Sequence, residues 1–135
     1  MKKLIFCFDL DNVLCESSSN DYTKSTPIEK NIQVLDLLKK KGHYIKIFTS
    51  RYMGRNRENK KLAIKQGYKF TKKQLKKWNV AYDELIFGKP SYDIFIDDKN
   101  LSFKKNWSKE ILKKFKKKYE NFSHWWSRFY WKSSL

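Results

Sequence analysis

Short apolar runs alternate with amphipathic stretches along the first hundred residues. Residues 3–8 carry Leu4-Ile5-Phe6-Cys7-Phe8, a β-branched and aromatic run that predicts a buried strand, with Cys7 as a small buried hydrophobe. Asn12 to Thr26 is polar, with three consecutive serines, and reads as a loop. Pro27 sits where helices begin. Ile28, Ile32, Leu35 and Leu38 then recur at helical spacing up to Gly42, which predicts a helix with a glycine stop. His43 to Phe48 predicts a second strand. Two helices are expected over 56–66 and 71–78, split by Gly67. Glu84 to Phe87 predicts a third strand and Asp93 to Ile96 a fourth. Strands alternating with helices make a parallel sheet in an α/β layer fold the expectation.

Beyond residue 102 the pattern changes. Phe103, Trp107, Ile111, Phe115, Tyr119, Phe122, Trp126 and Phe129 recur every three or four residues, with lysines filling much of the other side. The chain therefore divides into a core over 1–102 and an aromatic, basic helical segment over 103–135. The first half of that segment is expected to pack on the sheet. Its Trp-rich end, with Trp125, Trp126 and Trp131, suits either a second copy of the chain or peripheral contact with an anionic membrane surface.

Composition bounds the function. The chain has 135 residues, with 31 Lys+Arg against 14 Asp+Glu and a formal net charge of +17. Aromatics reach 17%, too many for a disordered tail, so one modest core is within reach. No apolar run is long enough to span a bilayer, and the acids that follow the first run argue against a signal peptide. The charge invites a nucleic-acid reading. Only Arg51, Arg55, Arg57 and Arg128 are arginine, however, and Lys, Asn and Ile abound, as AT-rich codons produce. Codon drift therefore ranks above nucleic-acid binding as the origin of the charge. Cys7 and Cys15 lack CxxC partners or a nearby histidine, so neither a zinc site nor a disulfide framework is expected, and a cytoplasmic location fits.

The chemistry lies at the strand ends. The first strand runs into Asp9-Leu10-Asp11, the second into Thr49-Ser50-Arg51, the third into Gly88-Lys89-Pro90 and the fourth into Asp97-Asp98. Open parallel sheets place their sites beyond the carboxyl ends of the strands, so these four ends are expected to meet. Gathered carboxylates repel and demand a cation, and an all-oxygen donor set favours a hard ion such as Mg2+. With a lysine and a hydroxyl opposite, such a site is equipped for phosphoryl transfer through an aspartyl-phosphate. The chain has no G-x-x-x-x-G-K-[ST] stretch, which excludes a P-loop nucleotide enzyme.

In this order the four segments resemble motifs I to IV of the haloacid dehalogenase (HAD) superfamily, in its two-aspartate phosphatase form. The stretch Asn79 to Pro90, with Asp93 to Lys99, is similar to the small capsular-polysaccharide-biosynthesis phosphatases of that superfamily. The resemblance implies a Rossmann-like, doubly wound parallel sheet, and the gaps between motifs leave no room for a substantial cap domain. It implies Asp9 as nucleophile, Asp11 as general acid and base, Thr49 as the phosphoryl-binding hydroxyl with Ser50 competing, and Lys89 as the charge-offsetting cation. Mg2+ would be held by Asp9, the backbone carbonyl of Asp11, Asp97 and Asp98. Arg51 and Arg55 are candidates for binding the rest of the substrate, while Arg57 reads as a solvated cation and Asp93 as structural. The expected activity is hydrolysis of a phosphomonoester, a small metabolite such as a sugar phosphate, in capsule or surface polysaccharide biosynthesis. A polynucleotide-end phosphatase and a non-catalytic basic module for membrane or nucleic acid are the rival readings.

Overall fold

The computed structural model describes residues 2–116, and the Trp-rich end lies outside them. Three parallel strands form the main sheet: β1 (Ile5–Phe8), β4 (Tyr44–Thr49) and β5 (Glu84–Phe87), in the order β1-β4-β5. Between β1 and β4 lie β2 (Cys15–Glu16) and β3 (Thr26–Pro27), a short antiparallel pair within the expected loop that also takes in Pro27, expected to begin the helix; α1 (Glu29–Lys40) follows, with Ile28 as its N-cap. α2 (Lys60–Lys77) joins β4 to β5, and α3 (Trp107–Lys116) follows. The result is a small α/β fold. Among the described residues, no helix is long and apolar enough to cross a membrane.

The register explains which side chains the sheet buries. Phe6 pairs with Ile45 and Phe8 with Ile47, so these four share one face. Ile32, Leu35 and Leu38 of α1, Leu75 of α2, and Trp107, Ile111 and Leu112 of α3 close over that face as one core. Trp107 meets Phe8 at 5.5 Å between ring centroids, which fixes α3 to the sheet. α1 stops at Gly42, whose φ of +86° only glycine adopts cheaply. The opposite face is open along β1. Ile5 is 67% exposed, and Cys7 is exposed rather than buried as expected, because alternation turns residues 5 and 7 away from the helices.

Asp83 fastens the start of β5 to β4. Its backbone N–H donates to the Ile45 carbonyl at 2.8 Å, and its carboxylate accepts from the Ile45 N–H at 2.7 Å and from Lys39 Nζ at 2.5 Å. Burial alone would raise this carboxyl's pKa, but the Lys39 and Ile45 donors outweigh it and hold the group below its ordinary value. A depressed carboxylate stabilises the fold above its unfolded pKa of about 3.9 and loses that contribution as pH falls through the folded value. Asp83→Asn is therefore expected to lose about 1 kcal/mol at pH 7 and to narrow its deficit against wild type as pH drops below about 4. Urea melts across pH check this, and a deficit independent of pH would refute it.

Two expected boundaries are corrected. α2 passes through Gly67 unbroken because this glycine serves packing: a Cβ there would lie 2.2 Å from carbons of the Tyr52 ring, which occupies the notch. Gly67→Ala should cost about 1–2 kcal/mol in chemical denaturation, overpacking outweighing the gain in helix propensity. Unchanged or higher stability would contradict that account.

Residues 93–96 are among the described residues and do not form the expected fourth strand. Only five residues separate Phe87 from Asp93, whereas a return to a neighbouring parallel strand takes a dozen or more. Moreover, Tyr92 stacks on Phe95 at 4.9 Å, a bend that an extended strand does not permit. Ile94 and Ile96 are accordingly 79% and 90% exposed.

Candidate active site

The carboxyl ends of β1, β4 and β5 converge as the sheet topology requires. The β4–β5 ladder continues one bond further, from the Lys89 N–H to the Thr49 carbonyl at 3.2 Å. Gly88, at φ +98°, turns the chain there. Lys89 itself is buried, with Nζ 3.6 Å from Asp9 Oδ2. The rings of Tyr92 and Phe95 lie 5.2 and 5.3 Å from that ammonium, so the bend after Pro90 builds an aromatic wall behind it.

Asp9 is one-third exposed and accepts the Leu10 N–H at 2.9 Å. Burial pushes its carboxyl above the usual range, and the Asp11 charge adds to that; Lys89 and the Leu10 N–H pull the other way without prevailing.

Asp11, two residues on, is held from several sides. Arg51 Nε donates to both of its carboxylate oxygens, at 3.2 and 2.9 Å, and Nη2 donates to Oδ1 at 2.9 Å. Ser17 Oγ donates to Oδ1 at 2.6 Å and shares a 2.6 Å bond with Ser25 Oγ. Cys15 Sγ lies 3.4 Å from the same oxygen. Burial, reinforced by the Asp11 charge, pushes that thiol up to about 11, so it acts as a neutral donor.

Arg51 is not where a substrate-binding arginine would be. It is 1% exposed, and its donors are consumed inside the protein by Asp11, by Gln74 Oε1 at 2.7 Å and by Thr71 Oγ1 at 3.4 Å. The Tyr22 ring covers it at 4.5 Å. Arg55 remains exposed. Its guanidinium lies over Tyr52 and Tyr22, at 4.5 and 5.4 Å, and donates to the Asn20 carbonyl, so it ties down the loop beside the site. Arg57 is exposed, as expected.

The two hydroxyls at the end of β4 differ in exposure. Thr49 is 0% exposed and its Oγ1 accepts the Arg51 N–H at 3.1 Å, which shapes the turn after β4. Ser50, next along, is only half-buried.

Among the described residues, Asp97 and Asp98 form no metal-binding group with Asp9. Both stand in solvent, Asp97 accepting the Lys99 N–H at 3.1 Å and held below the ordinary carboxylate range by that bond and by its hydrogen bond with Asp98. Among the described residues, no three acidic, histidine or cysteine side chains gather into a metal-binding group: Asp11 pairs with Arg51, and Asp9 faces Lys89.

Ser17, Ser25, Thr71 and Gln74 were not expected at the site. Thr71 and Gln74 did leave a trace, as polar residues on the face of α2 that also carries Ala63, Gly67 and Leu75.

No protein family and no curated protein matches the chain. Among solved structures, it is similar to a structural-genomics target from Vibrio cholerae. The two are 25% identical with a TM-score of 0.69, over 84% of this chain and 98% of the other.

Proposed function

We propose that the protein is a phosphomonoester hydrolase of the HAD type. The observation that carries this reading is Asp9, a solvent-reachable carboxylate at the end of β1 faced by the buried ammonium of Lys89, with a second carboxylate fixed two residues away. An Asp9 oxygen attacks phosphorus and the bond to the leaving oxygen breaks, while Lys89 offsets the charge gathering on the phosphoryl group. Ser50 donates to a phosphoryl oxygen. In this reading Asp11 must carry a proton when it meets the leaving oxygen; it gives that proton up there and regains one from the water that attacks the aspartyl-phosphate, and release of phosphate restores Asp9. Arg51 and Ser17 keep Asp11 oriented through both steps.

Magnesium belongs to this proposal on donor chemistry alone, with Asp97 and Asp98 as the further oxygen ligands; bound, it would neutralise phosphoryl charge. The finer architecture, a doubly wound HAD core without a cap, is proposed on the order of the motifs. The resemblance makes a small sugar phosphate the first substrate to try.

Hydrolysis of an aryl phosphate with Mg2+ and with EDTA is the deciding measurement. Turnover with Mg2+ that EDTA abolishes supports the whole reading. Turnover that EDTA leaves intact removes the metal, and release no faster than in buffer removes the enzyme.

A further inference from the structure

Among the described helices, α2 carries the most lysines and no acid. Eight of its 18 residues are lysine (60, 61, 65, 69, 72, 73, 76 and 77) and none is acidic. Among the described residues, no carboxylate pairs with any of them. α1, by contrast, intersperses Glu29 and Asp36 with its lysines, and Asp36 pairs with Lys40 at 3.0 Å. Codon drift raises lysine everywhere, but it does not strip one helix of acids.

The lysines border a track. Two hollows lie along α2, one against β5 and the other against the segment that leads into β5. The first, of about 270 Å3, is lined by Lys60, Ile64, Tyr68 and Leu85 to Phe87. The second, of about 420 Å3, is lined by Lys69, Lys72, Lys73 and Lys76 with Val80 and Tyr82. Tyr68 and Tyr82 are only half-buried, so each offers part of a ring to a ligand. The track begins at the active site: Lys60 lies so close over Gly88 that a Cβ there would fall 2.7 Å from Lys60 Cδ, and Gly88 adjoins Lys89. Glu58, just before α2, accepts the Ser91 N–H at 2.7 Å and its hydroxyl at 2.9 Å, which fastens this end of the helix to the Lys89 loop.

We infer that this track binds single-stranded nucleic acid and presents its terminal phosphate to Asp9. Lysines along a groove neutralise a phosphate backbone, and interleaved tyrosines stack bases without reading sequence. α2 is about 27 Å long, room for a few nucleotides. A membrane surface suits the face poorly, because most of the apolar side of α2 (Ala63, Gly67 and Leu75) is buried against the sheet, which leaves only Leu62 and Ile64 as exposed large apolar side chains of this helix. The binding inference stands on the track alone, whereas delivery of the end to Asp9 rests on the phosphatase reading.

The test compares the full chain with two variants of equal charge loss. One carries Lys69→Gln, Lys72→Gln, Lys73→Gln and Lys76→Gln, and the other Lys104→Gln, Lys105→Gln, Lys113→Gln and Lys114→Gln. The probes are a labelled, 5′-phosphorylated ten-nucleotide strand read by anisotropy and 3:1 phosphatidylcholine–phosphatidylserine vesicles read by sedimentation.

The track variant is expected to bind the strand at least tenfold more weakly and the other variant within about twofold of wild type, with a salt slope reduced by about 3 in the track variant alone. Equal losses in both variants would reduce the effect to net charge and overturn the inference. So would vesicle binding that depends on the track without strand binding. Release of phosphate from the strand should show a tenfold higher KM in the track variant, with aryl phosphate turnover unchanged. Track-dependent binding without any turnover defeats the phosphatase reading and leaves the binding site standing. Turnover of the strand that ignores the track defeats the delivery.

Discussion

Asp9→Asn is expected to abolish phosphate release from an aryl phosphate, by at least about a thousandfold, as loss of a covalent nucleophile does elsewhere. The amide keeps the shape and can still accept the Leu10 N–H, so the loss reports chemistry and not collapse. Stability supplies the control. Burial holds the Asp9 carboxyl above its ordinary range, which means the folded protein disfavours the ionised form. At pH 7 the neutral amide should therefore melt at the same temperature as wild type or higher. A variant with a tenth or more of wild-type turnover would end the nucleophile assignment. A variant that is inactive but unfolded would show that Asp9 serves the fold.

Arg51→Met should be the most damaging single change outside the nucleophile. It leaves Asp11 without its 2.9 Å partner and strips Gln74 and Thr71 of their shared donor, all next to the closed core. Breaking a buried pair by removing one partner costs about 3–5 kcal/mol, because the remaining charge is stranded. The expected result is a large fall in urea midpoint, together with lost turnover. Arg51→Lys keeps the charge but cannot form the fork to Asp11, so it should recover part of the stability and little activity. A methionine variant that is both stable and active would show that the buried fork is dispensable.

Much of the frame is legible in the sequence because it rests on local pattern. The runs at Ile5–Phe8, Tyr44–Thr49 and Glu84–Phe87 are strands, and the 3.6-residue rhythm from Ile32 to Leu38 is the buried stripe of α1. Pattern fails where a residue's reason lies far along the chain. Gly67 looks like a breaker until the Tyr52 ring fills its notch, and Cys7 looks buried until the sheet proves uncovered on its side. Asp93 to Ile96 alternates like a strand, yet the five residues before it are too few for a parallel return. At the site, adjacency in sequence suggests that Arg51 faces the substrate with Ser50. Its side chain instead turns inward to Asp11, forty positions earlier, and to Gln74, twenty-three later.

Thr71 and Gln74 have a further meaning for how freely this chain can vary. Each sits on the inner side of α2, where a leucine would satisfy the hydrophobic rhythm and bury more apolar surface. Their immediate neighbours Lys72 and Lys73 point outward and can trade places with any cation. The same helical turn thus combines two positions of loose choice with two of narrow choice. The narrow pair is constrained by a side chain on another element, so substitutions at residues 71, 74 and 51 should be tolerated only in concert.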